Sequence, residues 1–252
     1  MKKHQLLLLA IATGLSTSST LHAAVINWGA ATNISGDLDV STAGTLVGAF
    51  NLGNPPTDTT VNGVTFTGLL PSGNDFTSGN FNFATEGTFA AAGGGSGAAP
   101  FSTLSAPYQA LLSTALGVNS TPPAFDPSAF TLTMNNLVAG QTYQFEWWFN
   151  FSGNGAPLVT TTATAGNSVT LNQNTSGAVN GGLGQFALGT FVADGTNSQA
   201  ITFANTAGGA GNLINGFQLR QVPEPSTLAL LGLPALLGLR RRRLKQPAFR
   251  QS

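Results

Sequence analysis

The stretch Gln141–Phe151, QTYQFEWWFNF, restricts the fold more than any other part of the chain. Successive side chains of a strand point to opposite faces of its sheet. Tyr143, Phe145, Trp147, Phe149 and Phe151 therefore share one face, and Gln144, Glu146, Trp148 and Asn150 the other. Aromatic rings in phase, each offering about 150–250 Å² of surface, need a second layer to cover them. The segment is read as a strand with one core face. On its second face Trp148 stands among polar neighbours. Either a loop or helix covers Trp148, or it forms a sugar-stacking platform flanked by the hydrogen-bonding groups of Glu146 and Asn150.

The residues on either side of this strand repeat the theme in shorter form. Strands are expected at Val25–Thr32, Thr45–Leu52, Val61–Gly68, Phe81–Ala90 and Phe130–Leu137, and again at Ser168–Asn172, Gln185–Val192, Gln199–Ala204 and Ile214–Arg220. Gly, Asn, Thr and Ser turns separate them. Thr160–Thr164, TTTAT, reads as a polar edge or surface strand. One helix is expected near Ala106–Leu116, with Ser105 as its cap and Pro107 in its first turn. Many short strands with glycine-rich turns predict an all-β fold, a jelly-roll-like β-sandwich with one short helix. The glycine-rich stretch Ala90–Pro100 is a candidate break between two domains, read in preference as a flexible loop, because the residues before it would make a small domain without staples.

Composition fits a folded chain despite the low charge. Charged residues are 7% of the sequence, but the apolar fraction is 42%, and 17 phenylalanines are available for a core. Charge is also unevenly placed. Between Val25 and Gln221 the only cation is Arg220, against eight carboxylates, a formal charge of −7. Nucleic acid binding needs several Lys or Arg to neutralise phosphates, so that partner is excluded. The same span has no His, Cys or Lys. It cannot build a Ser–His or Cys–His nucleophile pair or a His/Cys zinc site, and no cofactor is implied.

The basic residues lie at the two ends. Residues 1–24 have a basic start, an apolar run from Leu6 to about Leu15, and a small-residue end at Ala23-Ala24, the order of a secretory signal peptide. At the other end, Val222-Pro223-Glu224-Pro225 precedes an apolar run, Thr227–Leu239, and then Arg240, Arg241, Arg242 and Arg243. That run makes roughly 20 Å of helix, short for a hydrocarbon core of about 30 Å. The arginines would hold residues 244–252 in the cytoplasm and leave the body, 25–221, outside.

In this three-part order residues 222–243 resemble the PEP-CTERM sorting signal of Gram-negative bacteria. The resemblance implies recognition through Pro223, Glu224 and Pro225 by a membrane-embedded exosortase, and a transient inner-membrane intermediate. It also implies release or transfer to the cell surface or extracellular matrix, in association with exopolysaccharide. Within the body, Leu137-x-x-Gly140-Gln-Thr-Tyr143, Gly184-Gln-Phe186 through Asp194, and Gly216–Arg220 are similar to ectodomains of such proteins and to galactose-binding-like jelly rolls.

For function, the leading expectation is a non-enzymatic, exported surface or matrix protein. The alternative is a carbohydrate-binding module that uses Trp148, with Trp28 in VINWGAAT expected to pack. An enzyme would have to be a glycosidase-like pair of carboxylates, for which Glu146 is the best acid and lacks an evident partner. Asp37 and Asp39 in SGDLDVS have the two-residue spacing seen in calcium sites, without a full ligand loop; a solvated turn is the preferred reading. Asp126, between prolines, reads as turn chemistry.

Overall fold

The computed structural model describes residues 24–119, 129–153, 159–177, 179–207 and 213–223. The signal-peptide reading, Asp126, and the tail from Glu224 onward, including Pro225, the expected C-terminal helix and the arginine cluster, lie outside the described residues. Among the described residues no helix is long and apolar enough to cross a membrane.

The strands are, in chain order, β1 (Asn27–Trp28), β2 (Thr32–Asn33), β3 (Thr45–Leu52), β4 (Thr59–Val61), β5 (Val64–Leu69), β6 (Asp75–Ser78), β7 (Phe81–Thr85) and β8 (Thr88–Gly93). The helix α1 (Ala106–Leu112) follows, then β9 (Thr114–Asn119), β10 (Phe130–Met134), β11 (Thr142–Phe149), β12 (Thr160–Ala165), β13 (Asn167–Asn172), β14 (Gln185–Val192), β15 (Gln199–Ala207) and β16 (Gly216–Val222). The larger sheet runs β1-β14-β11-β16-β3-β5-β4, with β2 also on β14; the smaller runs β13-β12-β15-β10-β7-β6. A ribbon of β8 and β9 closes one side. From β10 onward the chain passes repeatedly between the sheets, as a jelly-roll-like sandwich does.

The in-phase rings of β11 fill the space between the sheets. Phe145 stacks on Phe217, and Trp147 meets Phe203 of the facing sheet edge to face at 5.1 Å between ring centroids. Tyr143 and Phe149 complete this face, and Phe151 packs half-buried at its margin. Burial of each such side chain stabilises the fold by about 1.5–3 kcal/mol. Trp28 joins this core edge-on to Phe145, its Nε1 donating to the Asn167 carbonyl.

Local chemistry explains where several elements differ from expectation. The expected strand Val61–Gly68 is a hairpin. Asn62 and Gly63 take φ of 47° and 75°, the left-handed pair that a two-residue Asn-Gly turn requires. The expected Phe81–Ala90 strand breaks into β7, paired with β10, and β8, paired with β9. The start of Ala90–Pro100, read as a loop, belongs to β8. Strands on both sides of that stretch share the two sheets, β3 lying beside β16 and β7 beside β10. Thr160–Thr164 is a surface strand but not an edge one: β12 runs between β13 and β15, with Thr161 and Ala163 turned inward and Thr160, Thr162 and Thr164 outward.

Helix α1 begins as its sequence dictates, with Ser105 Oγ accepting from Tyr108 N at 3.2 Å. It stops at Leu112, four residues short of the expectation. There the Leu112 carbonyl accepts from Asn215 Nδ2 at 3.0 Å, and Asn215 also takes the Thr114 carbonyl at 2.8 Å. A distant asparagine thus ends the helix and starts β9.

Candidate functional site

The outer face of the larger sheet carries, row by row, the second-face residues of β11. It is covered unevenly, and that decides what each residue can do. At one end Trp148 lies beneath α1 and β5. It is fully buried, edge-on to Phe66 at 5.5 Å, stacked near Phe186, with its Nε1 donating to Tyr108 Oη at 3.0 Å. Tyr108 donates in turn to Asp39 Oδ2 at 3.0 Å. Burial, with the Asp39 charge beside it, pushes the Tyr108 hydroxyl well above the ordinary phenol range.

In the middle rows the segment Ser35–Gly44 straps over the sheet. Glu146, 1% exposed, takes both of its donors on Oε2, from the Ser41 amide at 3.1 Å and from Gln218 Nε2. Its Oε1 is buried without a partner among the described residues and is free to carry the proton of the neutral acid. Burial is the main reason that the Glu146 carboxyl rises from 4.5 to about 7. The nearby Asp39 charge adds to the rise, while the hydrogen bonds and Arg220 oppose it. Arg220 does not pair with Glu146 directly. Its guanidinium donates to the carbonyls of Ala43, Thr42 and Gly44 and, at 3.1 Å, to Gln218 Oε1. Gln218 therefore bridges the cation and the acid.

Asn150 lies at the far end of β11 and is also fully buried. Its Nδ2 donates to Ser152 Oγ and the Leu112 carbonyl, and its Oδ1 accepts from the Gly184 amide at 2.9 Å.

The sequence brings Trp148, Glu146 and Asn150 to one face, and the fold seals all three. The cover read for Trp148 is present, supplied by α1, and the alternative, a glycan platform at these three residues, is corrected accordingly. A ring with no exposed surface cannot stack a sugar, and the hydrogen-bonding groups of Glu146 and Asn150 point into the protein. Asp37 and Asp39 share a turn as expected, but both oxygens of Asp39 and Oδ1 of Asp37 are taken by donors. Ser105 Oγ donates to Asp37 Oδ1 at 2.6 Å, and Ser35 and Gly36 donate to Asp39. The hub that sequence reasoning missed is Asn215, whose Oδ1 accepts from the Asn150 amide while its Nδ2 reaches three carbonyls. Nothing local marks it, because its partners come from three other elements.

The last row at the other end is open. There β16 finishes at Val222, paired with Thr142 of β11, and Pro223 leaves the sheet exposed to solvent. The family model of the PEP-CTERM protein-sorting motif matches residues 221–243, starting inside this strand. The chain carries a PEP-CTERM sorting motif. The motif makes this an exported protein sorted by an exosortase, which processes it at the membrane on the way to the cell surface. The PEP-CTERM match covers residues 221–243 alone, the end of β16 and the tail after it. No curated protein matches the chain. Among solved structures, Bacteroides uniformis beta-glucuronidase 2, covalently bound to cyclophellitol-6-carboxylate aziridine, is similar over 70% of this chain and 18% of that one. The identity is 16% and the TM-score 0.43, a likeness that says nothing about chemistry here.

Proposed function

We propose that this is a non-enzymatic surface or extracellular-matrix protein, structural or adhesive in role, delivered by exosortase sorting and associated with exopolysaccharide. The PEP-CTERM motif at residues 221–243 carries the reading. Two further features support it. Glu146, whose carboxyl is raised to about 7, is enclosed beneath the Ser35–Gly44 strap with Trp148 sealed beside it, so neither faces a substrate. The outer face of the smaller sheet is polar and almost free of charge, with Thr162, Thr170, Thr131 and Thr202 paired across strands through their hydroxyls. Such a surface suits a hydrated, neutral matrix.

The test is intact mass of the protein recovered from membrane, surface, matrix and medium fractions of producing cells. A chain ending near Val222, enriched in the surface or matrix fraction and released when the polysaccharide is digested, is the expected result. A full-length tail retained in the inner membrane would overturn the sorting reading. A processed chain that stays in the medium, indifferent to polysaccharide, would overturn the matrix role.

A further inference from the structure

The sorting motif and the folded domain overlap. Gln221 and Val222, the first residues of the match, are held in β16 between neighbouring strands, opposite Tyr143 and Thr142 of β11, with Gln221 also opposite Thr45 of β3. Gln221 Nε2 donates to Gln141 Oε1 at 2.9 Å. There is no linker between sandwich and signal.

Chain length then limits the space below the domain. From Val222 to Thr227, where the apolar run starts, there are five Cα steps, at most about 18 Å even when fully extended. A headgroup layer occupies roughly 5–8 Å of that. With the apolar run seated in the bilayer, this end of the sandwich is held within about 10–13 Å of the headgroups, less than the width of a protein domain. An enzyme that reaches the motif from the membrane must touch it.

The surface there fits a protein partner. Val192, Thr142 and Val222 form one row across β14, β11 and β16. Val192 is 52% exposed, and Val138 is 57% exposed. The turn that carries Val138 is tied to this row by the Gly140 amide donating to the Ala193 carbonyl at 2.8 Å. Among the described residues Asp194 follows Val192 by two positions, and the guanidinium of Arg220 is occupied by the Thr42–Gly44 carbonyls. Among the described residues this end has no free cation, which does not suit anionic lipid headgroups, held as they are by Lys and Arg clusters. Exposed valines rimmed by polar groups suit a protein surface.

We propose that the end of the sandwich around Val138, Val192 and Val222 is a docking face for the outward surface of the exosortase, so that the enzyme engages the folded domain as well as the motif. The inference rests on the sorting reading. It is tested in producing cells with the full-length chain, by pulse-chase and the rate at which the tail is lost. The variants are Val138→Lys with Val192→Lys, and Leu38→Lys as a control on the exposed turn held by α1. The double variant is also made with eight Gly/Ser residues inserted after Val222, and each precursor is first checked for parental resistance to proteinase K. The expected result is processing several-fold slower in the double variant, parental in Leu38→Lys, and restored by the insertion. A parental rate in the double variant, or slowing that the insertion leaves unchanged, would overturn the docking face. Replacing Pro223 and Glu224 by Ala tests the underlying reading separately: if that chain is processed like the parent, the motif itself is not what the enzyme recognises.

Discussion

Raising the pH should destabilise the sandwich across a window in which most proteins are at their steadiest, and Glu146 is the reason. Its carboxyl has a folded-state pKa of about 7 against 4.5 for the free group. The folded protein therefore binds more protons than the unfolded chain between those values, and stability falls as pH rises. The contribution is fully present below about pH 4.5, lost progressively up to about pH 7, and flat above it. At 1.36 kcal/mol per pKa unit the loss is about 3 kcal/mol. For a domain of this size that corresponds to roughly 6–12 °C in melting temperature. The titratable and charged groups that act on Glu146 through space are Asp39 of the strap, Tyr108 of α1 and Arg220 of β16. Residues 25–221 contain no histidine or cysteine to titrate in the same window. The assay is thermal unfolding by circular dichroism at half-unit steps from about pH 4.5 to 8, for the parent and Glu146→Gln. The glutamine keeps an oxygen for Ser41 and Gln218 and cannot ionise, so its curve should be flat over this range. A parent whose melting temperature holds or rises across the window, or a variant with the parental slope, would refute the reasoning.

Other substitutions read the rest of the network. Trp148→Ala empties a sealed site between Phe66, Phe186 and Tyr108 and should cost about 3–5 kcal/mol in urea unfolding. In the parent, acrylamide should quench Trp28 and leave Trp147 and Trp148 protected, since both are fully buried. Asn215→Ala takes a donor from the Thr114 and Asn150 carbonyls and the acceptor from the Asn150 amide and should cost about 3 kcal/mol or more by the same assay, each unsatisfied group contributing roughly 1–3. Gly44 has φ of +75°, and a Cβ there would run into the Gln221 carbonyl. Gly44→Ala should destabilise by about 1–3 kcal/mol and speed amide exchange at the end of β16, read by mass spectrometry.

Much of the architecture was legible locally. The aromatic phase of Gln141–Phe151 has a period of two, a property of the strand itself, and the fold keeps it. Strands β3 and β14 have the limits expected from their runs, Thr45–Leu52 and Gln185–Val192. The Asn62-Gly63 turn is a hairpin signal masked by the valines on both sides, which make the segment look like one apolar run. The end of α1 had no local signal at all, since Asn215 supplies it from 103 residues away.

By itself the sequence determined which side chains share a face, that the body lacks the usual nucleophilic and zinc chemistry, and that a sorting address follows it. Those depend on composition, on strand periodicity, or on a short contiguous motif. Only the tertiary structure decided that Trp148 is sealed, because its cover is α1, whose Tyr108 is 40 residues away in the chain. It likewise decided that Glu146 is a buried acid with a raised pKa, since desolvation comes from everything packed around a group. And it placed the start of the motif inside the central strand β16, because strand pairing, and not residue type, fixes where the domain ends.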